Sequence, residues 1–144
     1  MYPEIMLIPM REELTRAGVQ ELRTAAEVDE ALRQSDGTVM VVVNSVCGCA
    51  AGRMRPAVRM ALQHATVPGK VVSVFAGQDR EATDQARRYF DDYPPSSPSI
   101  ALFRDGKLVH FLQRMDIERR EAEDIAADLT AAFDQHCART AAAD

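Results

Sequence analysis

The sequence predicts an α/β domain, one mixed central sheet flanked by helices on both faces. Three observations carry this. Apolar, β-branched runs alternate with amphipathic stretches along most of the chain. The run at 38–43, TVMVVV, is apolar almost throughout, which is the pattern of a strand buried on both faces and therefore central, beside a parallel neighbour. Asp105-Gly106 joins two further apolar runs, the two-residue signature of a type I′ hairpin and so of an antiparallel pair.

The elements follow in order. Residues 9–17 read as a first helix, with Pro9 at its start and Gly18 just past its end, and the first eight or so residues read as loose. Residues 19–22 form a weak strand. Thr24 and Glu27 have capping-box spacing and open a helix running to about residue 34. Asp36-Gly37 is a turn into the central strand. A helix covers about 47–65 and is bent or broken near Pro56; an end at Arg55 is the alternative. Residues 70–76 form a second core strand. Residues 79–90 are helical, with Asp79 as cap. Strands at 99–104 and 107–112 flank the hairpin turn, and a last long helix spans 116–137 with Ile117, Ile125, Leu129, Ala132 and Phe133 on one stripe. The last six or so residues, RTAAAD, read as a frayed tail. Right-handed crossovers first, then a hairpin and a packing helix, are the layout of a thioredoxin-like domain.

Bulk properties narrow the function classes. A chain of 144 residues suits a single domain with a sizeable core. A formal net charge of −5 argues against a nucleic acid or an anionic membrane surface as partner. The longest apolar run is too short to span a bilayer, and the N-terminus lacks the basic and apolar regions of a signal peptide. Three cysteines are too few, and odd in number, for a secreted disulfide scaffold. The expected compartment is the reducing cytoplasm, where a close cysteine pair points to redox chemistry or metal binding.

That pair is Cys47 and Cys49, separated by Gly48, where the central strand hands over to a helix. The first N–H groups of a helix lack internal partners and the dipole adds positive charge, so a thiolate there is stabilised. The thiolate is the attacking species in disulfide exchange. Residues two apart on a regular helix point to nearly opposite sides, so these two sulfurs cannot bridge if both are fully helical. Cys47 is therefore expected at or before the cap, as the nucleophile, with Gly48 supplying backbone freedom. Cys49 is the candidate resolving thiol; the strain of so short a bridge leaves room for a second small thiol to resolve instead. Arg53 and Arg55 are the cations expected to assist. A metal site is disfavoured, because His64, His110 and His136 show none of the usual ligand spacings; His136 and Cys137 contribute only if the last helix ends near Cys47.

Pro98 directly precedes a strand, a position where proline is tolerated. In a thioredoxin-like domain the loop before this strand carries a cis-proline beside the cysteines, and the backbone of the preceding residue meets the substrate disulfide. Ser97 and Pro98 match that place; Pro94 and Pro95 read as loop stiffeners.

The stretch NSVCGCAAG at 44–52, with Arg55-Pro56 after it and YPPSSPS at 93–99, resembles the bacilliredoxin family, bacterial thioredoxin-like proteins with a CGC motif in place of CxxC. The resemblance covers most of the chain. It implies a cytoplasmic thiol–disulfide oxidoreductase that removes bacillithiol from mixed disulfides on oxidised client proteins. Bacillithiol would then be co-substrate, with no tightly bound cofactor and no metal. The family nucleophile corresponds to Cys47 and the second motif cysteine to Cys49. Because bacillithiol carries carboxylates, Arg53 or Arg55 is a candidate to pair with them. Ordinary thioredoxins carry a buried acid where this chain has Val41, and a Trp where it has Val46, so no general base for Cys49 is assigned. The alternative from another class is a non-catalytic thioredoxin-fold module, a thiol redox sensor or metal carrier.

Overall fold

The computed structural model describes residues 2–33 and 36–138. Its elements are α1 (Glu4–Thr15), β1 (Gln20–Glu21), α2 (Ala25–Leu32), β2 (Thr38–Asn44), a π-helical turn (Ala50–Met54) leading into α3 (Arg55–Ala61), β3 (Lys70–Phe75), α4 (Arg80–Arg87) with a 3-10 turn (Arg88–Phe90), β4 (Ser99–Arg104), β5 (Lys107–Leu112), α5 (Arg114–Glu118) and α6 (Ala122–His136). The sheet order is β1-β3-β2-β4-β5. β3 pairs in parallel with β1 and β2, whereas β4 is antiparallel to both β2 and β5.

The apolar run of β2 is central and covered on both faces. Met40 and Val42 enter a cluster with Met54, Leu129 and Phe133, whereas Val39, Val41 and Val43 enter a second with Val28, Ala82, Phe90 and Phe103. Alternate side chains of one strand thus feed two cores, which is why the run needs no polar face. Asp105 and Gly106 both have positive φ, 50° and 80°, as a type I′ turn requires. Thr24 and Glu27 form the expected capping box.

Several elements differ from expectation. α1 begins at Glu4, with Pro9 inside it. The early residues are tied down rather than loose: Leu7 is fully buried, and Arg11 binds Glu4, Glu21 and Asp79 at 2.7 Å each. Burial opposes the Arg11 charge, but Asp79, Glu21 and Glu4 outweigh it and raise its pKa. Asp79 therefore spends its carboxylate on Arg11 and Arg23 and makes no side-chain cap on α4.

The helix after β2 is interrupted close to Pro56, as expected, and does not end at Arg55. It changes register: the Arg55 N–H bonds to the Ala50 carbonyl, an i→i−5 step that absorbs the donor missing at Pro56. It stops at Ala61, and α2 stops at Leu32; position 34, where α2 was expected to end, lies outside the described residues. The last helix is two. Gln113 and Asp116 make a capping box on α5, and the chain turns extended at Glu121 before α6, whose first turn carries Glu123 and Asp124 against the helix dipole. The frayed-tail expectation falls largely on residues 139–144, outside those described.

Candidate active site

β2 ends at Asn44, and Ser45 and Val46 carry the chain to Cys47, the residue before the helical stretch that opens at Gly48. A buried polar brace fixes this turn. Asn44 Oδ1 accepts from the Ser45 N–H at 2.8 Å and from Arg55 Nη1 at 3.0 Å. Arg55 Nη1 also donates to the Ser45 carbonyl at 2.7 Å, and its Nε donates to Glu13 at 2.9 Å. Arg55 is only 3% exposed. The expectation that Arg55 meets an incoming carboxylate is corrected: its guanidinium is enclosed, with Nη1 committed to the loop beneath the cysteine and Nε to Glu13. Arg53 turns toward the start of α6, donating to the Arg120 carbonyl at 2.7 Å and pairing with Glu121 at 3.4 Å.

Donors surround Cys47. Its N–H donates to the Ser45 hydroxyl oxygen at 3.1 Å, and its carbonyl accepts from the N–H groups of Ala50 and Ala51. The thiol itself is half-buried. Burial pushes it up, but the Ser45 hydroxyl, the N–H groups of Ala50 and Cys49, and the charge of Arg114 pull it down and prevail, so the Cys47 pKa lies below the ordinary thiol value. A sulfur held this way has its ionised form favoured relative to an ordinary thiol.

Two residues that the sequence did not single out complete the site, both on α5. Arg114 donates through Nη1 to the Ser97 carbonyl and through its N–H to the Ser96 hydroxyl, each at 3.4 Å, and through Nε to Glu118 at 3.3 Å. Glu118, then the charges of Cys47 and Cys49, push the Arg114 guanidinium further up. The second oxygen of interest is Glu118 Oε2, 3.9 Å from Cys49 Sγ and within hydrogen-bonding reach of a sulfur. Nothing in the local sequence marks these residues: α5 lies some 65 positions after the cysteines and is brought over them by the sheet. Their one signal is i,i+4 spacing, which is common on any helix.

The Ser97–Pro98 peptide is cis, as the loop position predicts, with Pro98 buried and Ser97 half-buried. Gly48 is exposed between the two cysteines, and all three cysteines are unbridged. No group of three or more His, Cys, Asp or Glu side chains able to hold a metal occurs among the described residues. His64 and His110 are instead paired with Asp134 and Asp128. Cys137 lies near Thr38 and Arg104, at the opposite end of β2 from Cys47, about 20 Å away by strand rise. It therefore joins no site with the pair.

Comparison with known proteins decides the family. The profile of a family described as disulphide isomerase matches residues 2–137. A bacilliredoxin of Koribacter versatilis is 66% identical over 143 residues, covering 99% of both chains. This chain belongs to the bacilliredoxin family. A second bacilliredoxin, from Salinibacter ruber, is 54% identical over 139 residues, covering 94% of this chain and 81% of that one. At the level of fold, Fasciola hepatica thioredoxin superposes with a TM-score of 0.57 at 18% identity, covering 82% of this chain and 99% of its own. Malassezia sympodialis thioredoxin gives 0.55 at 18% identity, covering 83% and 91%. The bacilliredoxin chain thus has a thioredoxin fold and a thiol–disulfide redox role. Among its described residues no helix is long and apolar enough to cross a membrane.

Proposed function

We propose that this protein removes bacillithiol from mixed disulfides on oxidised cytoplasmic proteins, with Cys47 as nucleophile. One observation carries the reading: a half-exposed sulfur whose ionised form is favoured by the Ser45 hydroxyl, helix N–H groups and Arg114, the same arginine that bonds to the Ser97 carbonyl of the cis-proline loop. The Cys47 thiolate attacks the bacillithiol sulfur. The old S–S bond breaks, and the client thiolate leaves and takes a proton. Cys47 then carries bacillithiol as a mixed disulfide. A second thiol, either Cys49 or free bacillithiol, displaces it; in the latter case bacillithiol disulfide departs and Cys47 is regenerated. Every step exchanges one S–S bond for another, so no metal or tightly bound cofactor is needed.

Ser97 and Pro98 would meet the incoming disulfide with extended backbone, while Gly48 keeps the approach to Cys47 free of a side chain. Arg53, still partly exposed, and Arg114, which is more open, are the cations available to the carboxylates of bacillithiol. The test is mass spectrometry after exposure to oxidised bacillithiol. An adduct on Cys47, trapped in the Cys49→Ser variant, supports the reading, as does catalytic release of bacillithiol from a client that fails in Cys47→Ser. An adduct that forms without turnover supports the redox-sensor alternative instead.

A further inference from the structure

The acid missing from β2 has a counterpart elsewhere. Val41, where ordinary thioredoxins carry a buried carboxylate, is fully enclosed in an apolar core. The carboxylate that does reach the motif comes from α5, with Glu118 Oε2 at 3.9 Å from Cys49 Sγ. We propose that Glu118 is a catalytic residue that accepts the Cys49 proton when Cys49 attacks the Cys47 mixed disulfide. This deepens the proposed function and rests on Cys47 being the nucleophile.

The two motif sulfurs have unlike surroundings. Cys47 is surrounded by donors and a cation, which suit a thiolate. Cys49 faces an acceptor, which suits an S–H. The charged groups around it are Arg114 and Glu118 on α5 and Cys47 on its own segment, while Arg53 on the π turn and Glu121 before α6 are paired with each other. Glu118 is the one carboxylate with a hydrogen-bond contact to either motif sulfur among the described residues. Arg114 holds that carboxylate at 3.3 Å and fixes its direction.

In the step, Cys49 sulfur bonds to Cys47 sulfur and the Cys47–S–S–R bond breaks. Cys49 is oxidised and R–S⁻ is reduced. The Cys49 proton moves to Glu118 Oε2 and then to R–S⁻, so the products are the Cys47–Cys49 disulfide and R–SH. The reaction needs no other oxidant.

The full-length protein reacted with an aromatic disulfide such as dithiobis(nitrobenzoate) separates the two steps, since each releases one coloured thiolate. Glu118→Gln should leave the first release within about threefold of wild type. It should slow the second at least tenfold at pH 7, within the range of general-base effects. The second release should also become steeply pH-dependent, rising about tenfold per pH unit as Cys49 must ionise unaided. Glu118→Asp should recover part of the rate. Glu118 is 43% exposed, so the substitution leaves no buried group unpaired. An unchanged second release with the same pH slope in Glu118→Gln overturns the inference. So does a wild-type adduct that stays on Cys47 and never passes to Cys49, although Cys47 chemistry then stands. If the first release persists in Cys47→Ser, the proposed function itself fails and this inference falls with it.

Discussion

Cys47 and Cys137 are both half-buried thiols packed against the same apolar cluster, yet the protein pushes them in opposite directions. Burial raises both. At Cys137 it dominates: Thr38 and Arg104 oppose it without overcoming it, and the pKa rises. At Cys47 the Ser45 hydroxyl, two backbone N–H groups and Arg114 overcome the same penalty, and the pKa falls. The two also sit at opposite kinds of helix end, on different helices. Cys137 is the C-cap of α6, where carbonyls dominate, while Cys47 precedes a helical stretch, where N–H groups dominate. The lesson is that exposure does not set these two thiols apart. The donors aimed at the sulfur do.

Substitutions sharpen that contrast in a graded way. The largest effect is expected for Cys47→Ser, which should cut thiol exchange about 10³-fold or more by removing the nucleophile. Cys137→Ser should leave the exchange rate within about twofold. Next is Arg55→Ala. It strips the brace beneath the Cys47 loop, leaves the Asn44 oxygen and the Ser45 carbonyl without their cation, and leaves Glu13 with Arg59 alone. A loss of about 1–3 kcal/mol is expected from leaving buried acceptors short of a donor, read as a lowered urea midpoint.

Ser45→Ala should act on reactivity more than on stability. Alkylation of Cys47 at pH 6 should slow a few-fold, on the order of one hydrogen bond. Its pH profile should move to higher pH, because the lost hydroxyl favoured the thiolate, and Cys137 labelling should not change. Arg114→Ala should shift the profile the same way by less, since Arg114 is half exposed. Added salt should mimic the substitution in wild type and do little in the variant. An Arg53→Ala shift as large as that of Arg114→Ala would contradict this assignment of the cation.

Much of the architecture was legible. The unbroken apolar run of β2 marks a strand covered twice, Asp105-Gly106 marks the hairpin, and Thr24 with Glu27 marks the start of α2, because each is a local requirement of backbone geometry or burial. The place of Cys47 before a helix, and of Pro98 before β4, was legible for the same reason. Arg55 was misread as a cation open to an incoming carboxylate because nothing local shows that the π turn at Ala50–Met54 delivers it to a buried position. Arg55 was also silent as a brace, since its partners Glu13, Asn44 and Ser45 converge only in three dimensions. Arg114 and Glu118 were hidden more deeply. Cys49 and Glu118 are 69 positions apart, and the break that ends α5 after Glu118 was not marked by glycine or proline. The early start of α1 rests on ion pairs from Arg11 to β1 and α4, equally remote in sequence.

The central claim is that the fold holds Cys47, and not Cys137, ready as a thiolate. Site-resolved alkylation with iodoacetamide across pH 4–10, quantified by mass spectrometry on the folded wild-type protein, tests it most directly. Cys47 labelling should rise below the range of a free thiol, and Cys137 labelling above it. Coincident profiles, or Cys137 ionising first, would contradict the account.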